Sequence, residues 1–306
     1  MNSEKLKIFI GYIFITLVWG STWLAIRLGL DSLTPFISAG LRFLSASILI
    51  LIIVKVKGIA IQKDSDSIKL YFFLGFLSFV IPFWLVYWAE QFIPSGLTSV
   101  MFAVFPFFVF LFSVILLKNE ATDKFKLFSV ILGFIGVFII FSDGLEVDLQ
   151  NHFLGLLAVL TSAMLQGLSA VIIKKWGGHL NPFSMNGPPL FLAGISMVFL
   201  SLIFEDSSSW IFSQKAVMSI LYLAIFGTIF AFSVYYWLLK RINAVILSLS
   251  SFVTPIIAVI LGWIILDEKL SEKVLIGTLF VLIGILFGNL KGFKKYYLAR
   301  KGTVSA

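Results

Sequence analysis

The chain has 306 residues, 60% of them hydrophobic and 12% charged, with 34 Phe, 8 Trp and a mean hydropathy of +1.06. No water-soluble domain is built that way. The absence of cysteine excludes disulfides, thiolate metal sites and cysteine nucleophiles, and the net charge of +8 reads first as loop charge that orients a membrane protein.

A helix needs roughly 20 mostly apolar residues to cross a bilayer. Uncharged apolar runs predict ten spans, near 8–27, 35–54, 69–89, 96–117, 125–142, 153–173, 184–204, 216–239, 243–266 and 274–290. The connections are too short for a sizeable soluble domain. Lys5 and Lys7 precede the first span, but it runs on through Trp19 and Trp23 to Arg27 without a small-residue cleavage pattern, so it reads as a helix of the mature protein. With the N-terminus inside, the inner segments collect eighteen of the 23 basic residues, from Lys5 to Lys301. The outer segments then hold only Arg27, Lys215, Lys269 and Lys273. Both termini are therefore expected in the cytoplasm, and the basic excess needs no nucleic-acid partner.

Along the chain, the first span places Trp19 and Trp23 on one face with Ser21 and Thr22 beside them. Trp19 sits near mid-span, where an interfacial aromatic belt does not explain it. The second span carries Arg42, the one charge well inside a span. A buried Arg costs at least about 2.5 kcal/mol to insert, so it either serves the pathway or braces the outer gate through Glu90 or a carbonyl. Toward its outer end the third span offers Tyr87, Glu90 and Gln91, and the fourth has a mid-span Pro106 and ends near Glu120. A mid-span proline frees a carbonyl about one turn earlier, giving a kink or a ligand contact.

Ser129, Gly133 and Gly136 form a small face in the fifth span, as do Gly277, Gly284 and Gly288 in the tenth, which suits close scaffold packing in lipid. In the sixth span Ser162, Gln166 and Ser169 fall at i, i+4 and i+7, one polar stripe. The stripe lines a cavity or bonds to another helix. Tyr235 lies in the eighth span. The ninth has Ser248, Ser250, Ser251 and Thr254 leading to Pro255, with Glu268 beyond its end. Arg42, Glu90, Pro106, Glu120, Pro255 and Glu268 are the gating or coupling candidates. Trp19, Ser21, Thr22, Tyr87, Gln91, Ser162, Gln166, Ser169, Tyr235, Ser248 and Ser251 are the substrate-binding candidates.

The two halves repeat. Thr34-Pro35-Phe36 with Gly40 recurs 147 residues later as Asn181-Pro182-Phe183 with Gly187. Tyr87-Trp88, Ile93 and Pro106 recur at an offset of 149 as Tyr236-Trp237, Ile242 and Pro255, and Glu120 matches Glu268 at 148. Two five-helix repeats follow, 1–145 and 150–292, with a basic cytoplasmic tail over 293–306. Five is odd, so the second repeat is inverted, as in many secondary transporters with a site at the repeat interface. The expected fold is an all-α membrane protein of ten transmembrane helices.

Trp19-Gly20-Ser21-Thr22-Trp23, Leu41-Arg42-Phe43-Leu44, the two proline helices leading to Glu120 and Glu268, and the paired halves resemble the EamA-type transporters of the drug/metabolite transporter superfamily. Glu90-Gln91 followed by Pro94-Ser95-Gly96-Leu97 resembles the branch rich in inner-membrane metabolite exporters. Val281 departs from the pattern where the first repeat has Gly133. The resemblance implies a pathway lined by the first, third, fourth, sixth, eighth and ninth helices.

A membrane enzyme is disfavoured, since His152 and His179 fall in loops on opposite sides and no HExxH spacing occurs. The lack of GxxxxGK[ST] argues against an ATP-driven pump. The expectation is a multi-pass secondary carrier of the inner or plasma membrane that exports small organic metabolites by alternating access. Its substrates would be amino acids or related neutral, zwitterionic or cationic compounds, since Arg42 alone does not suit strong anions. A channel-like pore or a multidrug exporter is the alternative. Glu90 is the nearest carboxylate for proton coupling, with facilitated diffusion the other option. No cofactor or metal is expected, and the partners are a small-molecule substrate and the bilayer, with the protein a monomer or weak homodimer.

Overall fold

The computed structural model describes residues 3–116, 128, 131–133, 135–140, 142, 151–239, 241, 250–284 and 286–287. Among them the regular structure is helical throughout. The helices are α1 (Ser3–Leu30), α2 (Pro35–Val56), α3 (Ser65–Ala89) and α4, broken into Ser95–Phe102 and Phe105–Leu116. Then follow α5 (Ile131–Ile140), α6 (Asn151–Trp176) and α7 (Pro182–Phe204). α8 runs through Gln214–Tyr222, Leu223–Phe230 and Ala231–Leu239, and is followed by α9 (Ser250–Leu266) and α10 over 272–284. Among the described residues seven helices, α1–α4 and α6–α8, are long and apolar enough to cross a membrane, and the chain is a multi-pass membrane protein. The expected fifth and ninth spans contain the shorter apolar helices Ile131–Ile140 and Val253–Leu266.

Local sequence sets several helix starts. Pro35 and Pro182 open α2 and α7 in the first turn, where a missing N–H costs nothing. Asp64 caps α3 by accepting from Ser67 N at 3.0 Å, and Ser213, 149 residues later, caps α8 by accepting from Ala216 N at 3.2 Å. The Ser67 hydroxyl and backbone N–H hold the Asp64 carboxyl below its usual range. The repeat extends to an irregularity: α3 widens into a π-helix over Gly75–Val80, and α8 does so over Leu223–Phe230. In α3 the wide turn is followed by Pro82, which lacks the N–H the preceding turn would use.

Side-chain packing fixes the relation of the halves. Gly40 of α2 lies against Val198 of α7, Gly194 against Leu44, and Gly187 against Ile50 and Leu51. Rising numbers on α2 meet falling numbers on α7, so these repeat-related helices run antiparallel. α3 and α6 are likewise antiparallel, with Pro82 beside Ser162 and Ser78 beside Gln166. So are α1 and α8, with Ser21 beside Tyr222 and Ala25 beside Ser219. α4 packs on α6 and α9, and α9 on α1. The α3–α6 and α4–α6 contacts thus have counterparts in α8–α1 and α9–α1, the pattern of two inverted halves.

Hydrophobic attraction between helices is missing in lipid, so close approach of small residues has to replace it. A Cβ on Gly194 would lie 2.6 Å from the Leu44 backbone N, and one on Gly136 of α5 would lie 2.5 Å from the Gly277 carbonyl of α10. Gly136 and Gly277 thus bring α5 and α10 together, whereas Gly133 lies against Phe107 of α4; Ser129 and Gly288 lie outside the described residues. One apolar cluster joins α3, α4, α5, α6 and α10, and a second joins α1, α2, α3, α7 and α8.

The linkers 31–34, 90–94, 205–213 and 267–271 meet at one end of the bundle, hereafter the α1–α2 end, where Ile211 N donates to Ser32 O at 2.9 Å. At the opposite end Asn181 Nδ2 donates to Ala60 O at 2.8 Å and His179 Nε2 lies 3.0 Å from Ser67 Oγ.

Candidate functional site

The polar centre of the bundle is Arg42, 3% exposed on α2. Its Nε donates to Thr228 Oγ1 of α8 at 3.3 Å and its Nη1 to the Tyr87 hydroxyl of α3 at 3.4 Å. The guanidinium also lies 5.0 Å from the Phe83 ring centroid and 5.3 Å from that of Phe43, within cation–π range. The wide turn of α8 makes this possible. Thr228 Oγ1 donates to the Leu223 carbonyl five residues back at 2.9 Å and keeps a lone pair for Arg42. Gly227 beside it leaves room, since a Cβ there would lie 2.9 Å from Thr22 Cγ2 and 3.7 Å from Arg42 Nη2. Arg42 therefore ties the first repeat to the second.

The related wide turn, in α3, receives the polar stripe of α6. Gln166 Nε2 donates to the Ser78 carbonyl at 2.9 Å, Ser162 Oγ donates to the Pro82 carbonyl at 2.9 Å, and Ser169 bonds the Ser78 hydroxyl. All three stripe residues are engaged with α3, the helix-bonding alternative for such a stripe, and Gln166 alone remains half-buried.

Half-buried aromatics lie on α1, α4 and α8. Trp19 packs on Phe232 and Tyr235 at centroid distances of 5.7 and 5.3 Å, and Ser21 Oγ lies 2.6 Å from the Tyr222 hydroxyl. Thr22 donates to the Trp19 carbonyl at 2.8 Å. Trp23 contacts Phe102, which stacks on Phe105 across the break in α4. Pro106 follows that break, where irregular backbone is tolerated only inside protein or beside a cavity. Pro255, by contrast, lies within the described run of α9. Gln91 is exposed at the α1–α2 end, donating to the Trp88 carbonyl at 3.2 Å, and the structure does not bring it to the Arg42 centre. Ser248 and Glu120 lie outside the described residues, as does the side chain of Ser251.

Two carboxylates fasten the α1–α2 end. Glu268 accepts from Ser95 N at 2.9 Å, Ser95 Oγ at 3.0 Å and Gly96 N at 3.1 Å, at the start of α4. Glu205 does the same at α2, accepting from Thr34 Oγ1 at 2.6 Å, Phe36 N at 2.7 Å and Ile37 N at 3.1 Å. Each places a negative charge at the positive end of a helix dipole, and each comes from the second repeat to a helix of the first. Sequence reasoning found Glu268 but missed Glu205, Tyr222 and Thr228. Glu205 ends an apolar span as Glu268 does, which is the signal that marks it.

A third carboxylate behaves differently. Glu90 is 0% exposed, just past α3, and neither carboxylate oxygen has a hydrogen-bond partner among the described residues. Its backbone carbonyl accepts from Arg27 Nη1 at 2.6 Å. Burial pushes its carboxyl well above the usual carboxylate range and the Glu268 charge adds to this, with Arg27 and Arg42 opposing. No group of three or more His, Cys, Asp or Glu that could hold a metal occurs among the described residues.

The EamA-like transporter family matches the chain twice, over residues 6–142 and 153–290, one match per predicted repeat. The chain is 31% identical over 286 residues to the uncharacterized transporter YoaV of Bacillus subtilis, covering 92% of this chain and 97% of that protein. It is 26% identical over 282 residues to protein PagO of Salmonella typhimurium, covering 92% of each. It is 27% identical over 277 residues to the uncharacterized inner membrane transporter YedA of Escherichia coli K12, covering 89% of this chain and 87% of that one. A solved crystal structure shares the fold with a TM-score of 0.68 at 16% identity, covering 92% of this chain and 96% of that one.

Proposed function

The chain belongs to the EamA-like transporter family, and we propose that it is a secondary carrier of the inner membrane that exports small organic metabolites by alternating access. The observation that carries this reading is the pairing of the two inverted halves around the Arg42, Tyr87 and Thr228 centre. The polar groups that join the halves there lie on helices of both repeats, so relative rocking of the halves would open the centre to one side and then the other. The α1–α2 end is the outer one in this reading, with both termini in the cytoplasm.

The substrate class follows from what the centre offers. Arg42 is the only fully buried basic residue among the described ones, and its guanidinium is already shared between a hydroxyl pair and two rings. A strongly anionic substrate would need more buried positive charge. Half-buried Trp19, Trp23, Tyr235 and Gln166 instead suit a neutral, zwitterionic or cationic amphiphile such as an amino acid.

Proteoliposomes loaded with labelled neutral, zwitterionic and cationic amino acids test this. Protein-dependent efflux of at least one is expected, and absence of flux for every member of the panel overturns the substrate class. Efflux of structurally unrelated cationic dyes at a comparable rate would favour a multidrug exporter. Reporter fusions after Lys63 and after Asp148 are expected on opposite sides of the membrane, and finding both on one side overturns the inverted repeat.

A further inference from the structure

Glu90 is the one buried carboxylate among the described residues, and the clasps at the α1–α2 end do not use it. Glu268 and Glu205 each accept three hydrogen bonds, whereas both Glu90 oxygens are buried without a partner. The charged and titratable groups facing it are Glu268 from the α9–α10 linker, Arg27 from α1 and Arg42 from α2, with Tyr87 one turn back on its own helix. Neither arginine pairs with it. Arg27 bonds the backbone carbonyl of Glu90, and Arg42 bonds the hydroxyls of Thr228 and Tyr87. An ionised carboxylate sealed beside two guanidinium groups would draw at least one of them into a charge-assisted bond. A neutral carboxyl would not. A metal cation in its place would need roughly six oxygen ligands, and no group of three or more His, Cys, Asp or Glu that could hold one occurs among the described residues.

We propose that Glu90 is the proton-binding site of this carrier: its carboxyl holds one proton while the α1–α2 end is closed over it, and releases that proton to water when the end opens. The proposal deepens the carrier reading above and rests on it. Because the closed state favours the neutral form, closure is fully favoured below the ordinary carboxylate pKa, about 4.3. The advantage is lost as pH rises from there toward the raised value, by at most about tenfold in the closed-to-open ratio per pH unit for a single proton. Substrate carrying an amino group would meet an ionised Glu90 only in the open state, so proton and substrate would alternate there.

Two measurements on the full chain in liposomes, made without substrate, test this. Infrared spectra are expected to show the carbonyl stretch of a protonated carboxylic acid at pH 7 that is lost in Glu90→Gln. The chain has no native cysteine, so spin labels at Asp31→Cys and Ser271→Cys, both exposed on linkers of opposite repeats, report the opening of this end. Their separation is expected to lengthen as pH rises from 5 to 9 in the chain with Glu90, to do so also with Glu90→Asp, and to stay short at every pH with Glu90→Gln. An infrared band that survives in Glu90→Gln, no such band at all, or the same distance response in Glu90→Gln overturns the proposal. Failure here leaves the carrier reading standing, whereas a native protein that moves no labelled substrate while passing both tests counts against the carrier reading alone.

Discussion

Replacing Glu268 by alanine removes the acceptor shared by Ser95 N, Ser95 Oγ and Gly96 N at the start of α4. Ser95 is 0% exposed, so in the closed arrangement water reaches these donors poorly. A hydrogen bond to a charged group contributes about 1.5–3 kcal/mol net, while loss of an ordinary helix cap costs about 0.5–2 kcal/mol because water partly substitutes. A cost of about 3 kcal/mol, the upper end for one such bond in a site with three, corresponds to roughly 150-fold in an equilibrium. If the clasp exists only while this end is closed, that whole factor moves the closed-to-open ratio. Spin labels at Asp31→Cys and Ser271→Cys should then shift to the longer separation in Glu268→Ala. Gly262→Ala should act alike, because its new Cβ would occupy the space of the Glu268 carboxylate. Glu268→Gln, which keeps one acceptor oxygen, should give an intermediate shift. A lowered Tm with an unchanged distance distribution in both alanine variants would refute the reasoning, since the clasp would then be a permanent brace.

Gln166→Ala leaves the Ser78 carbonyl without its partner and should destabilise the protein by about 1–3 kcal/mol. Adding Pro82→Ala, which returns an N–H to that turn, should recover part of the loss, and a thermal double-mutant cycle in detergent that shows no coupling would contradict this. Gly194→Val forces a side chain against the Leu44 backbone and should cost about 1–3 kcal/mol or more. Gly178→Ala, where nothing lies within 4 Å, should leave Tm unchanged. Arg42→Ala removes the link from α2 to Thr228 and Tyr87 and should lower proteoliposome flux at least about tenfold, the loss of one interaction of roughly 1.4 kcal/mol. Native flux in Arg42→Ala would remove it from the pathway.

The spans and the repeat were legible because they depend on properties a sequence displays directly. A bilayer demands long apolar runs, and seven of the ten expected spans contain helices of membrane-crossing length among the described residues. The recurrence of Gly40 as Gly187 was visible as spacing, and its reason is the antiparallel contact of α2 with α7, which both glycines serve. The i, i+4, i+7 stripe of α6 showed its direction but not its partner, because the Ser78 and Pro82 carbonyls that receive it are backbone groups common to every residue. The wide turns of α3 and α8 left no mark in the apolar pattern, since one extra residue per turn hardly alters a run hydrophobic on all sides. Glu205 was missed for a related reason: it acts on the N–H groups of Phe36 and Ile37, nearly 170 residues away, and no side-chain pairing announces it.

The separation of the halves at the α1–α2 end can be tested by a covalent lock. Ser32 and Ser213 belong to linkers of opposite repeats and their hydroxyl oxygens lie 2.7 Å apart, close enough for the corresponding cysteines to form a disulfide in a chain that has no others. With Ser32→Cys and Ser213→Cys together, oxidised proteoliposomes should lose the efflux of whichever labelled amino acid the native protein carries, and reductant should restore it. Equal efflux from the oxidised and reduced protein would show that these linkers need not part during transport, and would contradict a carrier that works by rocking its two halves.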